Sequence, residues 1–346
     1  MYPRNILLEM PLFVIRFTTL WMAVALILSM QARAQNNNLS PERYSVYYLV
    51  VGNGHYEQDP EKFNTSGFIP YDNLPEAIAS AEIVTKFLRQ YAHAKGITLL
   101  SSPDSLITRM RVGKKFEDVL NMMLRDSAEN PMFVFYYCGH GLTDAVFSGQ
   151  YLLPGDFTYV VSPNGLIDLY HKGYLRIEEL PAKTIPVNNI VSAFRNVRMA
   201  YCVLLDCCRK ESDRHKTDRF SELPLTELPE VTWKDDSNLK LLQDVNRNFF
   251  GEPVVFSSAY NEIAYLYDVP ATSQAKQWAI ESSLQIGPLC RRILLLLDQS
   301  HRNLTLNDFI TLLKSPQSDK ITPTPYSKFT PDSAYKNIIF LAPSLP

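Results

Sequence analysis

The feature that most constrains this chain is a pair of short apolar runs, each ending on polar, reactive side chains. Residues 132–141 read MFVFYYCGHG and carry His140 between Gly139 and Gly141, while residues 199–210 read MAYCVLLDCCRK and carry Cys208 behind Asp206 and Cys207. Unbroken apolar text of this length is the pattern of a strand buried on both faces, which means a parallel strand covered by helices. The positions just past the carboxyl ends of such strands are where open α/β sheets build their sites. If the two strands are neighbours, about 4.8 Å apart, an imidazole and a thiol come within reach of each other. A cysteine beside a histidine ionises more readily than a free thiol, attacks carbonyl carbon, and leaves an imidazolium able to protonate a departing amine.

The surrounding text supports a doubly wound sheet. Residues 44–52 (YSVYYLVVG) read as a first central strand, and 74–91 as a helix with Ile78, Ala81, Ile83, Phe87 and Leu88 roughly on one face. A short strand at 97–100 follows, then a helix at 116–124 with Val119, Leu120, Met123 and Leu124 at helical spacing. Further helices are expected near 187–194 and 289–297, and further strands at 254–257 and 337–341. Strand and helix alternating in this way is the text of an α/β fold. Residues 211–248 differ: they are charged, contain Pro224 and Pro229, and lack long apolar runs. A loop this long in a compact domain is functional or disordered.

The ends of the chain and its charge bound its surroundings. With 34 basic and 36 acidic residues among 346, the net charge of −2 provides no global field to recruit nucleic acid or an anionic membrane. Residues 1–34 place Arg4 and Arg16 ahead of an apolar stretch at 17–30 and end in Ala32-Arg33-Ala34, the pattern of a secretory signal cleaved before Gln35. The alternative is an uncleaved anchor over 12–30, interrupted by Arg16, which would be the only membrane contact. Residues 35–43 form a polar lead-in. The expected location is therefore exported, periplasmic or extracellular.

Five cysteines in an exported chain raise the question of disulfides. The number is odd, and Cys138, Cys202, Cys207 and Cys290 all lie in apolar text, so buried free thiols are expected. Adjacent Cys207 and Cys208 lack the Cys-x-x-Cys spacing that zinc ligands favour. No glycine-rich phosphate loop and no EF-hand acid pattern occurs, so no cofactor is expected and calcium activation has no visible basis.

In this order, the text ending YCGHG, a hairpin YLLPGD at 151–156, and the text ending LLDCCRK resemble the caspase-fold cysteine peptidases. The histidine comes first and the cysteine 68 positions later (from 140 to 208), the order and spacing of that family. Asp206, two before Cys208 where animal caspases carry Gln, brings the resemblance nearest the paracaspase and metacaspase branch. It spans residues 44–343. The resemblance implies a caspase-like three-layer sandwich with a central, mostly parallel six-stranded sheet. The peptidase domain would run over 44–346, divided into a large-subunit-like part (44–210), a charged linker (211–250) and a small-subunit-like part (251–346).

The same resemblance implies roles. Cys208 would be the nucleophile of an endopeptidase and His140 its base and then acid. The backbone amides of Gly141 and Cys208 would form the oxyanion hole, where each donor is typically worth about 3 kcal/mol. Asp206 would line the first specificity pocket and accept the guanidinium or ammonium of a substrate Arg or Lys. Relatives carry a second acid early in the first helix; this chain has Ser80 there, with Glu76, Glu82 or Glu262 as substitutes. Arg214, Lys216, Arg219, Lys234 and Arg247 in the linker would be targets for self-cleavage. Metacaspases are commonly activated by calcium, and caspases dimerise through an edge strand, here near 338–341. Proteins or peptides are the expected partners, and a homodimer is an assembly the resemblance allows.

Other readings stand beside these. His140 could close a strand as a structural residue, although its flanking glycines fit close backbone approach better. Cys207 competes with Cys208, but side chains adjacent on a strand point to opposite faces, which turns Cys207 into the core. Asp206 could simply cap nearby amides. The whole domain could be a binding module that keeps the fold without catalysis, or a hydrolase of non-peptide amides.

Overall fold

The computed structural model describes residues 44–59, 71–126, 130–144, 149–158, 180–196, 199–207, 249, 251–257, 266–299, 304–315, 327, 329 and 339–341. The expected leader, the lead-in, residues 211–248, Glu262 and Cys208 itself lie outside the described residues.

Elements follow in the order β1 (Ser45–Gly52), α1 (Pro75–Tyr91), β2 (Lys95–Leu100), α2 (Arg109–Arg125), β3 (Pro131–Cys138), β4 (Gly141–Asp144) and β5 (Gly149–Leu152). Next come α3 (Leu180–Lys183), β6 (Ile185–Pro186), α4 (Val187–Asn196), β7 (Ala200–Asp206), β8 (Val254–Phe256), β9 (Tyr267–Asp268) and α5 (Ser273–Gln277). The described chain ends with β10 (Gln285–Ile286), α6 (Pro288–Gln299), β11 (Leu304–Thr305), α7 (Leu306–Lys314) and β12 (Ile339–Leu341).

The central sheet is parallel, with strands in the order β2-β1-β3-β7-β8. Its two faces follow from the strand order. The step from β1 to β2 runs one way across the sheet and the step from β2 through β3 to β7 the other, so right-handed crossovers place the intervening helices on opposite faces. α1 packs on one face, joined by α6 and α7, through Val84, Phe87, Ile293 and Phe309. α2 and α4 cover the other through Val119, Met123, Ile190 and Phe194. The fold is α/β, with a mostly parallel sheet flanked by helices.

Strand alternation divides the core cleanly. On β3, Val134, Tyr136 and Cys138 join the α1 side, while Phe133, Phe135 and Tyr137 join the α2 side. On β7, Cys202 and Leu204 take the first face, and Tyr201, Val203 and Leu205 the second. Burial on both faces is what the unbroken apolar text encodes.

Several expectations shift by identifiable causes. The helix expected at 116–124 begins at Arg109, because the Thr108 side chain accepts the Arg111 amide and starts the helix in text that is mostly polar. The hairpin expected at 151–156 is instead β4 paired antiparallel with β5, with β6 added alongside. Pro154-Gly155 is no hairpin tip: the Gly155 amide donates to Ile107 O, and its carbonyl accepts from Glu57 N. The strand expected at 337–341 pairs as β12 with β11, whose edge supplies its hydrogen-bond partners, so the central sheet has five strands among the described residues. α7 carries a Thr305/Asp308 capping box, a sequence signal that would have located it.

Candidate active site

The carboxyl ends of β3 and β7 meet side by side. Cys138 stands opposite Asp206 in the parallel register, and the Gly139 amide lies 3.4 Å from Asp206 O. His140 is two residues beyond one member of that pair, and Cys208 two residues beyond the other. The two strand ends that lead to His140 and Cys208 are thus direct neighbours. Cys207, the last described residue of its segment, is buried on the α2 side, as strand alternation requires.

His140 is held from several directions. Its Nε2 lies 2.9 Å from the carbonyl oxygen of Asp72. A carbonyl can only accept, so Nε2 carries a proton, and in the neutral form of the ring Nδ1 is the nitrogen with the lone pair. That is the tautomer a base needs. The imidazole sits 4.7 Å from the ring of Tyr56 and 5.2 Å from that of Tyr71. The His140 amide donates to Tyr56 Oη at 2.7 Å, and its carbonyl accepts from Leu153 N at 3.0 Å.

Gly139 makes this approach possible. Its φ of +154° lies in a region that side chains disfavour, and a Cβ there would fall 2.7 Å from Tyr137 Oη and 2.8 Å from Tyr56 Oη. Below it, Asn53 Nδ2 and Tyr137 Oη both donate to Leu153 O, at 2.8 and 2.7 Å. Burial raises the hydroxyls of Tyr56 and Tyr137 above the usual phenol range, so both stay neutral. Gly141 opens β4 opposite Leu152 and directly follows His140.

Asp206 is buried, and its carboxylate is the acceptor for the start of α6. Leu289 N donates to Oδ1 at 3.2 Å, Cys290 N to Oδ2 at 3.0 Å, and Tyr136 Oη to Oδ2 at 3.0 Å. Pro288 has no N–H, so these two amides are the first donors of the helix, and an anion belongs there. Burial outweighs those donors and pushes the carboxyl up to about 6. Gly287 lies so close that a Cβ would come 2.5 Å from Asp206 Cγ. Of the two roles weighed for Asp206, capping is the contact present.

Ser80, at the position expected to hold a second acid, belongs to the same cluster. Its Oγ accepts from Gly287 N at 2.9 Å and donates to Glu76 O at 2.8 Å. Ser80 is fully buried and reaches Asp206 through Gly287, so an uncharged hydroxyl lies beside the buried carboxylate.

Cys138, Cys202, Cys207 and Cys290 are buried and form no disulfide. Burial raises the thiols of Cys138, Cys202 and Cys290, which keeps them protonated and unreactive. Brief alkylation of the native protein is therefore expected to leave Cys138, Cys202, Cys207 and Cys290 unlabelled, with all five cysteines labelled after unfolding. Peptide mass mapping checks this, and label on any of the four buried thiols in folded protein contradicts it. Among the described residues no cluster of three or more His, Cys, Asp or Glu could hold a metal. No described helix is long and apolar enough to cross a membrane.

The sequence reading overlooked Asn53, Tyr56, Asp72, Asn73 and Tyr137. A signal for the first two was present, since residues 53–56 follow the carboxyl end of β1, on the same rim as His140. Comparison with known proteins adds no family: no protein-family model matches the chain, and no curated protein matches it.

Proposed function

We propose that this chain is an exported caspase-like cysteine endopeptidase, acting through a Cys208–His140 dyad and a thioester intermediate. The observation that carries the reading is the register of β3 and β7, which aligns Cys138 with Asp206 and sets the approaches to both reactive side chains next to each other. His140 Nδ1 takes the Cys208 proton, the thiolate attacks the scissile carbonyl, and the imidazolium protonates the leaving amine. Water then hydrolyses the thioester with His140 acting again as base. The amides of Gly141 and Cys208 serve as oxyanion donors. No organic cofactor is required.

Specificity for Arg or Lys rests on the resemblance and on Asp206. Its carboxylate is already engaged by Tyr136, Leu289 and Cys290, so the preference is tested apart from the chemistry. The experiment is mass-spectrometric profiling of a peptide library digested by the mature protein, with and without calcium, beside Cys208→Ala. Cleavage by the wild type only, after basic residues, is the expected result. Cleavage after other residues removes the basic preference while keeping the peptidase. No cleavage of any sequence, together with no labelling of Cys208 by an electrophilic peptide, leaves a binding module.

A further inference from the structure

We propose that Tyr56 is the positioning residue for His140, fixing its main chain and imidazole plane so that Nε2–H stays on the Asp72 carbonyl and Nδ1 is the nitrogen left to act as base; the inference rests on the proposed Cys–His chemistry. His140 lies between two glycines, one at positive φ, so its own backbone does little to hold it. The restraint comes from outside the segment. Tyr56 Oη accepts the His140 amide at 2.7 Å, and its ring packs 4.7 Å from the imidazole. Tyr56 is itself buried, joined by a hydrogen bond to Tyr137 and tied at its own amide to Asn73 Oδ1 at 3.0 Å.

Asn73 adjoins Asp72, whose carbonyl receives the His140 Nε2 proton. One brace, built from Tyr56, Asn73 and Asp72, therefore holds both ends of the histidine: main chain at one end, far ring nitrogen at the other. Without Tyr56 Oη the His140 amide loses that acceptor, and the ring can drift from the Asp72 carbonyl. A displacement of about 1 Å at a reacting group costs on the order of 100-fold in rate.

The test is Tyr56→Phe, which keeps the ring and removes the oxygen. Expected are a fall in kcat of about 10- to 100-fold with KM within twofold, and long-range proton–nitrogen NMR spectra in which His140 no longer holds a single Nε2–H tautomer. Asn73→Ala, which loosens the same brace from its other side, is expected to move both readouts in the same direction, and it serves as the test should Tyr56→Phe not fold. A folded Tyr56→Phe with kcat within twofold, or an unchanged His140 nitrogen pattern, overturns the inference. If the wild type cleaves no peptide, the peptidase reading fails, and the nitrogen pattern alone decides the role of Tyr56.

Discussion

His140→Ala is expected to lower kcat by roughly 10²–10⁴-fold, the range for removing a general acid–base group, with the fold retained. The imidazole is only partly buried and stands at the rim of the sheet, beyond the end of β3. Its removal therefore leaves little buried surface unmet. Most of what holds this segment engages the main chain, through Tyr56 Oη and Leu153 N, and survives the substitution. The check pairs steady-state kinetics on the best library peptide with thermal unfolding. Equal activity of His140→Ala and wild type would remove the histidine from the chemistry. Alkylation of Cys208 at neutral pH is expected to slow in the same variant, because the thiol loses the base that takes its proton.

The second large effect falls on stability. Asp206→Ala strands the buried amides of Leu289 and Cys290 and the hydroxyl of Tyr136, three donors that lose their acceptor together. Each unsatisfied buried group costs about 1–3 kcal/mol, so a loss of roughly 3–5 kcal/mol is expected. That is a large part of the margin of an ordinary domain. Asp206→Asn is milder but not neutral: one end of its amide can accept, and the other turns an N–H toward a donor. Urea unfolding midpoints of the three proteins measure this order, and an Asp206→Ala midpoint equal to wild type would contradict it.

Asp206 also predicts a pH dependence with a definite sign. Its folded pKa, raised by burial to about 6, stands above the unfolded value of about 3.9. Between those values the folded state holds more protons than the unfolded state, so this group makes stability fall as pH rises from about 4 to about 6, and adds no slope above. The slope should vanish from Asp206→Asn, and subtracting the two profiles isolates it from other carboxyls. A difference that rises with pH over that window would show that the amides and the phenol outweigh burial.

The elements specified by short-range pattern were legible in the sequence. Helix α1 was legible because its apolar period runs unbroken and Pro75 suits its first turn. β1, β3 and β7 were legible because burial on both faces leaves continuous apolar text. The start of α2 was hidden by the polar residues of its first turns, and the hairpin after His140 was misplaced because YLLPGD carries turn chemistry used for another contact. The cradle of His140 was missed for a different reason: Asp72 acts through its carbonyl, which no side-chain pattern announces.

Local pattern is enough for the α/β alternation, the faces of the central strands, the burial of four cysteines, and the rim position of His140. Each of these depends on residues within a few positions of one another, where period and polarity suffice. Long-range packing alone aligns Cys138 with Asp206, encloses the imidazole between Tyr56 and Asp72, and brings to Asp206 the first amides of α6, 83 and 84 residues further along the chain. Those partners are chosen by the packing of whole elements. A buried donor or acceptor must be satisfied, but which distant segment satisfies it is settled only when the sheet and its helices close together.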